Sequence, residues 1–566
     1  MDVLAIGAPA EEATLAALLR CCVREVAGPR GLVWPAPPYV LLRVAGTLLR
    51  ARTHGGAALR LDGPPERLEG GSWQPLTVAE LVRLAEADLT TLTDLTALAD
   101  PTDLTALADP TDLADPTDPT DLADPAGLAG LADRRDERAR QGPGAGAAHL
   151  SVEPNGEFAR QVAASRDAIA AILAARARAE PPADPWLASE QALVHGHPFH
   201  PTPKARDGAD WLRYAPEAHA AFPLRLLAVR DDALAEEGDL TALDALGPAP
   251  AGHRLLPAHP WQLALLRPAL GAELADLGPG PLAVPTSSVR TVYVPDAEVC
   301  LKFSLDVRIT NCVRKNAWYE LAGAVELTSR LAPLIAEVAA RHPAVRWLPE
   351  PGYRTALGQR EGLGVIVRAS PWTVCDPGVT PVLAAALALD AAPADPLAWW
   401  TAYVSAVALP VVDLYVRHGV VLEAHLQNVL VGLDAAGRPV RAIFRDLEGV
   451  KLVAGRHDLG GLHPAVAAAL THDPARGWAR VVYCLFVNHL TEIAATLAGP
   501  DDELLRALWR AARDLLARQA AELGQPLPLR DLLAGAPLPA KANLRVRWAR
   551  AADRNAGYVP IANPLA

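Results

Sequence analysis

The chain has 566 residues, which is too long for one ordinary hydrophobic core and predicts two or three domains. With 51% hydrophobic and 21% charged residues, the composition excludes a wholly disordered chain, a collagen-like chain and a coiled-coil rod. The formal net charge is −12, but nine Asp residues between Thr93 and Pro125 carry most of it. The charge of the remaining chain is close to balanced and identifies no class of partner.

The six cysteines and the apolar stretches predict the compartment. The cysteines form no CxxC pair, which indicates free thiols in a reducing compartment. The longest apolar stretches, such as Tyr403–Val416, fall short of the roughly 20 residues that a membrane span needs. Glu11 and Glu12 stand where a signal peptide would be basic. We therefore expect a cytoplasmic protein that binds small molecules, with no membrane and no nucleic-acid partner.

The N-terminal third combines a predicted hairpin, an acidic repeat and a helix. Tyr39–Val44 and Thr47–Arg52 are predicted strands on either side of an Ala-Gly turn. The unit TDLTALADP occurs at 93–101 and 102–110 and decays into shorter units up to Pro125. Recurrent proline and irregular shortening favour a mobile acidic insertion over a small solenoid. The pattern of 152–179 predicts a helix.

A His-rich loop follows at Leu193–Gly208. Three histidines in six residues could indicate zinc, but two cations in the same loop would repel a dication and no cysteine lies nearby. Imidazole donors together with cations favour an anion such as a polyphosphate or a carboxylate. A His-rich surface loop without a function stays the alternative. The candidate residues are His195, His197, His200, Lys204 and Arg206.

Two strands are predicted within Pro281–Asn311, with a turn at Pro295–Ala297 and a helix from Cys312 to Leu331. In the second strand the apolar residues Val299, Leu301 and Phe303 share one face, which leaves Lys302 on the other. A lysine on the inner face of a hairpin is a common way to hold phosphates.

The predicted helix start forms a second candidate anion site. Thr310 or Asn311 is a good N-cap, and Arg314 would lie on the same side one turn later. A helix N-terminus flanked by arginine is a ready carboxylate or phosphate site. The alternative is that Thr310 is only a cap and Arg314 only a solvated charge.

A second hairpin is predicted from 420–431 and 438–446, with its turn at Asp434–Gly437. If the first segment is extended, polar residues share one face where an interior strand would be apolar, and the return strand brings Asp446 near them. Carboxylate and amide oxygens suit Mg²⁺. A structural polar network is the alternative. The polar residues are Glu423, His425, Gln427 and Asn428.

Mixed helices and hairpins favour an α+β fold over a doubly wound parallel sheet. Neither GxGxxG nor GxxxxGK[ST] occurs in a suitable context, so a Rossmann or P-loop nucleotide site lacks support.

Several motifs in order closely resemble the IucA/IucC family, the NRPS-independent siderophore synthetases. They are GHPFHPTPKARDG, HPWQ, PTSSVRTV, LKFSLDVRITNCVRKN, EAHLQNVLV, FRDLEG and a late Lys541–Arg547 segment, spanning about 195–547. The resemblance implies an enzyme that uses ATP and Mg²⁺ to adenylate a carboxylate of citrate or a citrate derivative. An amine or alcohol then displaces AMP and gives an amide or ester.

The family's cupped-hand architecture of thumb, fingers and palm implies a division of this chain. The parts would be a thumb-like 1–88, the acidic repeat and linker 89–147, the thumb remainder 148–194, the fingers with the ATP motifs 195–375, and the palm with the magnesium and substrate motifs 376–566. A homodimer is an assembly that the resemblance allows.

The resemblance also implies roles for individual residues. Lys302, Arg314 and His425 would be catalytic. The ATP site would contain His197, His200, Lys204, Arg206, Ser288, Arg290, Thr291, Lys302, Gln427 and Asp446. The acid substrate would be held by Thr310, Arg314, His425, Arg368 and Lys541, and Mg²⁺ by Glu423, Asn428 and Asp446.

Three alternatives stay open at this point. The spacing of His425, Asn428 and Asp446 resembles the catalytic loop of an aminoglycoside kinase, although Leu426 stands where such an enzyme has its base Asp. A nucleotide- or siderophore-binding module without turnover is the second. The third is the same synthetase chemistry on a citrate monoamide or a succinyl hydroxamate. The nucleophile could be a polyamine, a hydroxylamine or an amino acid.

Overall fold

The computed structural model describes residues 3–98, 155–206, 208, 210–266, 271, 273–309, 312–551 and 556–566. Met1–Leu89 and Gly156–Ala566 form one compact unit, and Thr90–Asn155 forms the other. Most of the predicted acidic insertion, and Thr310, lie outside the described residues. The mixed helices and sheets of the larger unit confirm the predicted α+β character.

An antiparallel sheet lies near the N-terminus and contains the predicted hairpin. Tyr39–Val44 pairs with Thr47–His54, and the turn residues Ala45 and Gly46 adopt positive φ angles of 46° and 78°. This confirms the prediction. The strands, in spatial order, are Val33–Ala36, Tyr39–Val44, Thr47–His54, Glu66–Glu69 and Ser72–Pro75, with Arg60–Leu61 pairing beside Thr47–His54.

An eight-stranded antiparallel sheet carries the predicted lysine strand at its centre. Its strands, in spatial order, are Leu234–Gly238, Gly352–Ala356, Val365–Ala369, Val299–Phe303, Thr291–Val294, Leu274–Pro285, Phe222–Arg230 and His253–Ala258. The predicted turn at Pro295–Ala297 is confirmed as a single 3₁₀ turn. Val299, Leu301 and Phe303 enter one apolar core, and Cys300 enters a different one, so the predicted alternation of faces is also confirmed.

A smaller sheet meets the second face of the large one. Tyr293 and Cys300 of the large sheet share a core with Leu430 and Ile443 of the small sheet. The strands of the small sheet, in spatial order, are Val345–Trp347, Pro439–Phe444, Val429–Leu433 and Thr380–Leu383. Because the chain leaves Pro439–Phe444 at this contact, the residues that follow it can reach the polar face of the large sheet.

The predicted helix from Cys312 is wrong. Cys312–Arg314 is a short strand paired with Leu305–Ile309, and the helix begins only at Trp318. The helix start is fixed later in the chain because the Glu320 carboxylate accepts a hydrogen bond from the Ala317 N–H at 2.8 Å. The residue at the N-cap of this helix is Ala317, and Arg314 lies on the strand instead. The predicted caps Thr310 and Asn311 lie outside the described residues.

The predicted single strand over 420–431 is also wrong. Val420–Val421 pairs with Lys451–Val453, and Val429–Leu433 forms the hairpin with Pro439–Phe444. The residues 423–428 between them form a loop of tight turns, so their polar side chains do not share a strand face. The predicted turn at Asp434–Gly437 is confirmed by a hydrogen bond from the Gly437 N–H to the Asp434 carbonyl oxygen.

The remaining strands form two small sheets, and helices build the largest core. Val420–Val421, Lys451–Val453 and Thr471–His472 make one sheet, and Leu538–Lys541 with Tyr558–Ile561 makes the other. The α-helices are Val3–Cys21, Val78–Leu98, Gly156–Arg176, Pro185–Glu190, Thr241–Asp244, Pro260–Leu266, Trp318–Arg341, Ala384–Leu387, Pro396–His418, Pro464–Leu470, Pro474–Val481, Thr491–Ala498, Asp502–Glu522, Leu527–Leu533 and Asn543–Trp548. Cys22–Ala27 and Val482–Leu490 are π-helical.

Two of the helical segments are long and apolar enough to cross a membrane by length and composition. They are Pro396–His418 and Pro474–Ala498. Their apolar windows are 67% and 89% buried inside the protein, as expected for helices that form the core.

Candidate active site

Three cations line the polar face of the large sheet. Lys302 lies on the central strand, Arg368 lies on the neighbouring strand, and Arg290 directly precedes Thr291–Val294. Their exposed fractions are only 1%, 4% and 4%. Charged side chains are almost never this deeply buried unless they are paired, so the partners of these cations define the site.

The partners are Asp446 and Glu448, which follow strand Pro439–Phe444 of the small sheet. Lys302 Nζ lies 2.6 Å from Asp446 Oδ1 and 2.9 Å from Glu448 Oε2. Arg290 Nη2 donates to Glu448 Oε2 at 2.5 Å, and Arg368 Nη2 donates to Asp446 Oδ1 at 2.9 Å. We call these five residues the Lys302 cluster.

Mutual attraction keeps the Lys302 cluster charged despite burial. Burial alone disfavours the charged form of Lys302, but Asp446 and Glu448 more than offset this and raise its pKa. Burial also disfavours the two carboxylates, yet Lys302, Arg368 and Arg290 hold the pKa of Asp446 well below its ordinary value. Arg290 and Lys302 lower the pKa of Glu448 to about 2 in the same way. All five side chains are therefore ionised at neutral pH.

Asp446 is held in an unusual backbone conformation. Its φ is +73°, in the left-handed region that residues other than glycine adopt rarely. Strained backbone of this kind occurs often at functional sites, where the surrounding structure over-determines it.

Glu320 and Asn316 extend the cluster at the helix that begins at Trp318. Asn316 Oδ1 accepts a hydrogen bond from Arg290 Nη1 at 2.5 Å. Burial, followed by the negative charge of Glu448, raises the pKa of Glu320 to about 7. The sequence interpretation missed Glu320 and Glu448. Alanine at position 317 is not a capping residue type, so no capping box in the sequence pointed to Glu320.

The His-rich loop is fixed by internal and long-range contacts. His197 Nδ1 accepts the Phe199 N–H at 3.0 Å, so the neutral ring carries its proton on Nε2. Nε2 lies 2.7 Å from the side-chain amide of Asn488. Burial lowers the pKa of His197 to about 3, and His197 is neutral with both ring nitrogens engaged.

Other residues of this loop are tied to the fold. Lys204 forms a buried ion pair with Glu217, and its N–H donates to Ser165 Oγ at 2.9 Å. His200 Nδ1 accepts the Thr202 N–H at 3.1 Å. Arg206 donates to the Ala205 carbonyl oxygen at 3.2 Å. The predicted ATP contacts of these residues stay predictions.

The loop 423–428 is held in place from the C-terminal helices. His489 Nδ1 donates to the Ala424 carbonyl oxygen at 2.9 Å, and Tyr403 Oη lies 2.5 Å from His489 Nε2. Glu423 forms an ion pair with Arg480. Burial lowers the pKa of His425.

The side chain of Gln427 joins this loop to the turn that precedes strand Thr291–Val294. Gln427 Nε2 donates to the Ser287 carbonyl oxygen at 3.1 Å, and Ser288 Oγ accepts the Thr291 N–H at 3.1 Å. Arg445 and Glu190 form a buried two-bond ion pair at 2.5 and 3.0 Å beside them. Sequence reasoning missed this pair.

The predicted metal ligands are only partly assembled. Among the residues that the structure describes, no group of three or more His, Cys, Asp or Glu side chains is arranged to hold a metal ion. Asp446 contacts Lys302 and Glu423 contacts Arg480. Asn428 Nδ2 is buried and has no hydrogen-bond partner in the described part of the chain.

The predicted acid-binding residues are described to different extents. Arg368 belongs to the Lys302 cluster. Lys541 ends strand Leu538–Lys541 and lies within electrostatic reach of His197 and His425. Thr310 lies outside the described residues, and of Arg314 only the strand position is described.

Comparisons with known proteins give the family context. The model of the IucA / IucC family matches residues 185–389, and that of the ferric iron reductase FhuF-like transporter family matches residues 397–556. The rhizobactin siderophore biosynthesis protein RhbC of Rhizobium meliloti (strain 1021) is 32% identical over 448 residues, which cover 67% of this chain and 75% of that relative. The L-2,3-diaminopropanoate–citrate ligase of Staphylococcus aureus (strain NCTC 8325 / PS 47) is 31% identical, with coverages of 68% and 75%.

Solved structures share the fold. ATP-bound aerobactin synthetase IucA from a hypervirulent pathotype of Klebsiella pneumoniae superposes with a TM-score of 0.72 at 22% identity, covering 98% of this chain and 99% of that one. The petrobactin biosynthesis protein AsbB of Bacillus anthracis str. Sterne gives a TM-score of 0.72 at 17% identity, with coverages of 100% and 97%. The likeness extends over nearly the whole chain.

Proposed function

This chain belongs to the IucA/IucC family of NRPS-independent siderophore synthetases, and on that basis we propose that it joins citrate to an amine or alcohol at the expense of ATP. The products are an amide or ester, AMP and pyrophosphate. The observation that carries this proposal for the chain itself is the Lys302 cluster, a set of buried cations that faces carboxylates from a second sheet.

In the first step, a carboxylate oxygen of citrate attacks the α-phosphorus of ATP. A P–O bond forms to give citryl-AMP, and the bond to the β-phosphate breaks and releases pyrophosphate. Two anions must approach each other, so cations have to offset the repulsion in the transition state. We assign that role to Lys302 and Arg290, with Ser288, Thr291 and Gln427 positioning the nucleotide.

The Lys302 cluster and its neighbours include candidate ligands for Mg²⁺. Oxygen ligands suit this ion. The carboxylates of Asp446 and Glu448 lie beside the cations, and the side-chain oxygen of Asn428 is the third candidate. These three residues would hold Mg²⁺, which would supply positive charge to the phosphates. We place Glu448 rather than Glu423 in this role, because Glu448 lies beside Asp446 on the same buried lysine, whereas Glu423 contacts Arg480.

In the second step, the amine nitrogen attacks the acyl carbon of citryl-AMP. The C–N bond forms, the C–O bond to AMP breaks, and the nitrogen loses a proton. We propose that His425, Lys541 and Arg368, with Thr310 and Arg314, hold the carboxylates of citrate during both steps. His425 Nδ1 accepts the Gln427 N–H at 3.2 Å, so the ring, kept neutral by burial, carries its proton on Nε2 and can donate it to a carboxylate of citrate, while the amine proton is lost to water.

We also propose the finer architecture. The fold likeness supports a thumb, fingers and palm division with the fingers at 195–375 and the palm at 376–566. Assembly as a homodimer and use of the enzyme in the cytoplasm are part of the same proposal.

A product assay tests the proposed function. The enzyme is incubated with ATP, citrate and hydroxylamine, and the nucleotide products are separated. We expect AMP and pyrophosphate with citrate hydroxamate. Release of ADP would instead indicate a phosphotransferase, and an absence of turnover would indicate a binding module.

A panel of acids tests the choice of citrate. At a fixed amine concentration, pyrophosphate release is measured with citrate, a citrate monoamide and a succinyl hydroxamate. We expect citrate to give the highest kcat/KM, because a trianion suits the cations around the site. Turnover of the monoamide with citrate inert would overturn the substrate choice and leave the adenylation chemistry standing.

A further inference from the structure

Arg24 is a deeply buried cation near the His-rich loop that the activation step does not use. It lies in the π-helical segment Cys22–Ala27, and only 6% of the residue is exposed. Its guanidinium stacks on the Phe199 ring, with Cζ 3.3 Å from the ring centroid. Stacking of this kind satisfies the face of a guanidinium and leaves its N–H edges free to bind an anion.

The edges of this guanidinium are mostly unused. Nη2 donates to the Ala57 carbonyl oxygen at 3.3 Å, and the guanidinium forms no ion pair with any carboxylate in the described ranges. Nε and Nη1 make no hydrogen bond within the described ranges, and neither atom is fully enclosed by the protein. These two donors therefore border space that solvent can enter.

The nearby carboxylates do not neutralise Arg24. Glu492 forms an ion pair with Arg60 at 3.0 Å. The Glu25 carboxylate accepts the Arg545 N–H at 3.0 Å, and burial raises its pKa to about 7. A buried guanidinium without a committed counter-ion is a costly arrangement unless a ligand supplies the negative charge.

The neighbours of Arg24 connect it to the part of the site that contains His425. His425 is within electrostatic reach of Asp446 and Lys541. His197 is within reach of His425, Lys541 and Arg24. Direct contacts link Arg24 to the loop that carries His425. Arg24 stacks on Phe199, whose N–H donates to His197 Nδ1. His197 Nε2 lies 2.7 Å from the side-chain amide of Asn488, and Asn488 Oδ1 accepts the Leu426 N–H at 3.4 Å. The amine adds to the acyl carbon of citryl-AMP from above or below the plane of the acyl group, so a group beside the residues that we propose to hold citrate can bind this second substrate.

We propose that Arg24 binds the carboxylate of the amine substrate, so that this enzyme condenses activated citrate with an amino acid rather than with a polyamine. The inference rests on the proposed function and names the class of its second substrate. A guanidinium binds a carboxylate through paired N–H groups. The same charge repels a polyamine, which gives selectivity by exclusion as well as by attraction.

Two amines that differ only in a carboxylate test the proposal. The full-length enzyme is assayed with ATP, citrate and either 2,3-diaminopropanoate or 1,2-diaminoethane. We expect the unaltered enzyme to prefer 2,3-diaminopropanoate. In Arg24→Gln, kcat/KM for 2,3-diaminopropanoate should fall about 10- to 100-fold, the range for a lost hydrogen bond to a charged group. The value for 1,2-diaminoethane should stay the same or rise.

Two further variants separate binding from folding. Arg20→Gln is the matched control, because Arg20 Nε also donates to a nearby backbone carbonyl, that of Leu59, at 2.8 Å. It should not change the preference between the amines. Arg24→Lys keeps the charge and loses the paired N–H groups, so we expect a smaller loss that is again confined to 2,3-diaminopropanoate.

Citrate-dependent exchange of pyrophosphate into ATP separates this proposal from the proposed function. Exchange should be equal in the unaltered enzyme and Arg24→Gln. Equal losses for both amines, reduced exchange in Arg24→Gln, or no preference in the unaltered enzyme would each overturn the role of Arg24. An unaltered enzyme without any citrate-dependent exchange would instead contradict the proposed function.

Discussion

Replacing Lys302 by methionine tests whether the Lys302 cluster binds the nucleotide. Methionine has a similar length and no charge, so the change removes the contacts at 2.6 and 2.9 Å without opening a large cavity. Removal of one member of a buried charge network costs about 3–5 kcal/mol when its partner is left uncompensated. Arg290 and Arg368 still contact the same carboxylates, so we expect a loss of folding free energy near ~2–3 kcal/mol.

The effect on catalysis should be larger than the effect on folding. A buried charge-assisted contact to the nucleotide is worth about 2–5 kcal/mol, which corresponds to a loss of roughly 30- to 5,000-fold in kcat/KM for ATP. Lys315→Met is the matched control, because Lys315 is 41% exposed and lies 3.7 Å from its partner Asp306. Exposed pairs of this kind contribute about 0–1 kcal/mol, so the control should stay near the unaltered enzyme.

The acid stability of Lys302→Met gives an independent measurement. Asp446 and Glu448 have pKa values below their ordinary range, so their stabilising effect is present above the unfolded pKa of about 4 and is lost as the pH falls through the folded values. Without Lys302 these pKa values rise, and the loss should begin at a higher pH. An unchanged acid-unfolding midpoint, together with less than a threefold change in kcat/KM, would refute the reasoning.

Three further changes test other parts of the structure. Glu190→Gln should lower the melting temperature strongly, because breaking its buried pair with Arg445 costs about 3–5 kcal/mol; a melting temperature like that of the unaltered protein would contradict this. Gly449→Ala should lower kcat at least about tenfold, because its Cβ would lie 1.9 Å from Glu423 Oε2, and unchanged kcat would show that the loop can move aside. Deleting 99–125, part of the acidic insertion that the sequence predicts to be mobile, should leave melting temperature and kcat nearly unchanged, since halving a flexible insertion changes its closure free energy by only about 0.6 kcal/mol. An inactive deletion variant would reveal a role for the repeat.

Local sequence patterns were sufficient to predict those elements whose structure depends mainly on one kind of contact. The alternation of Val299, Leu301 and Phe303 predicts both the strand and the buried side of Lys302, because each face of the strand enters a different environment. The hairpin around Ala45-Gly46 is equally local, since two short strand-forming runs flank a two-residue turn in which Gly46 adopts a positive φ without strain.

Contacts between distant segments could not be predicted in this way. Lys302 and Asp446 are 144 residues apart, and Arg445 and Glu190 are 255 residues apart. No local spacing encodes which carboxylate meets which cation. The sequence interpretation placed Asp446 near the polar residues of a single strand, whereas its ion pairs lie across two sheets.

The two wrong elements have a common physical cause. The sequence interpretation assigned polar residues with the spacing of a strand or a helix to a regular element. In the structure, hydrogen bonds to other residues determine the conformation of both segments. The loop 423–428 is held by His489 through the Ala424 carbonyl oxygen, and the helix start is moved to Trp318 by Glu320. Tertiary and capping contacts of single residues therefore outweigh periodicity in both segments.

The nearly neutral net charge of the site affects how strongly it can bind the nucleotide. The three cations of the Lys302 cluster face Asp446, Glu448 and also Glu350, which contacts Arg368 and is fully buried. Three cations and three carboxylates leave almost no net charge to attract the polyanionic phosphates. A cation that accompanies the nucleotide would engage the carboxylates and leave Lys302 and Arg290 to the phosphates. For this reason we expect ATP to bind tightly only together with Mg²⁺, which equilibrium binding of ATP with and without the metal would measure, and equal affinities would contradict this account.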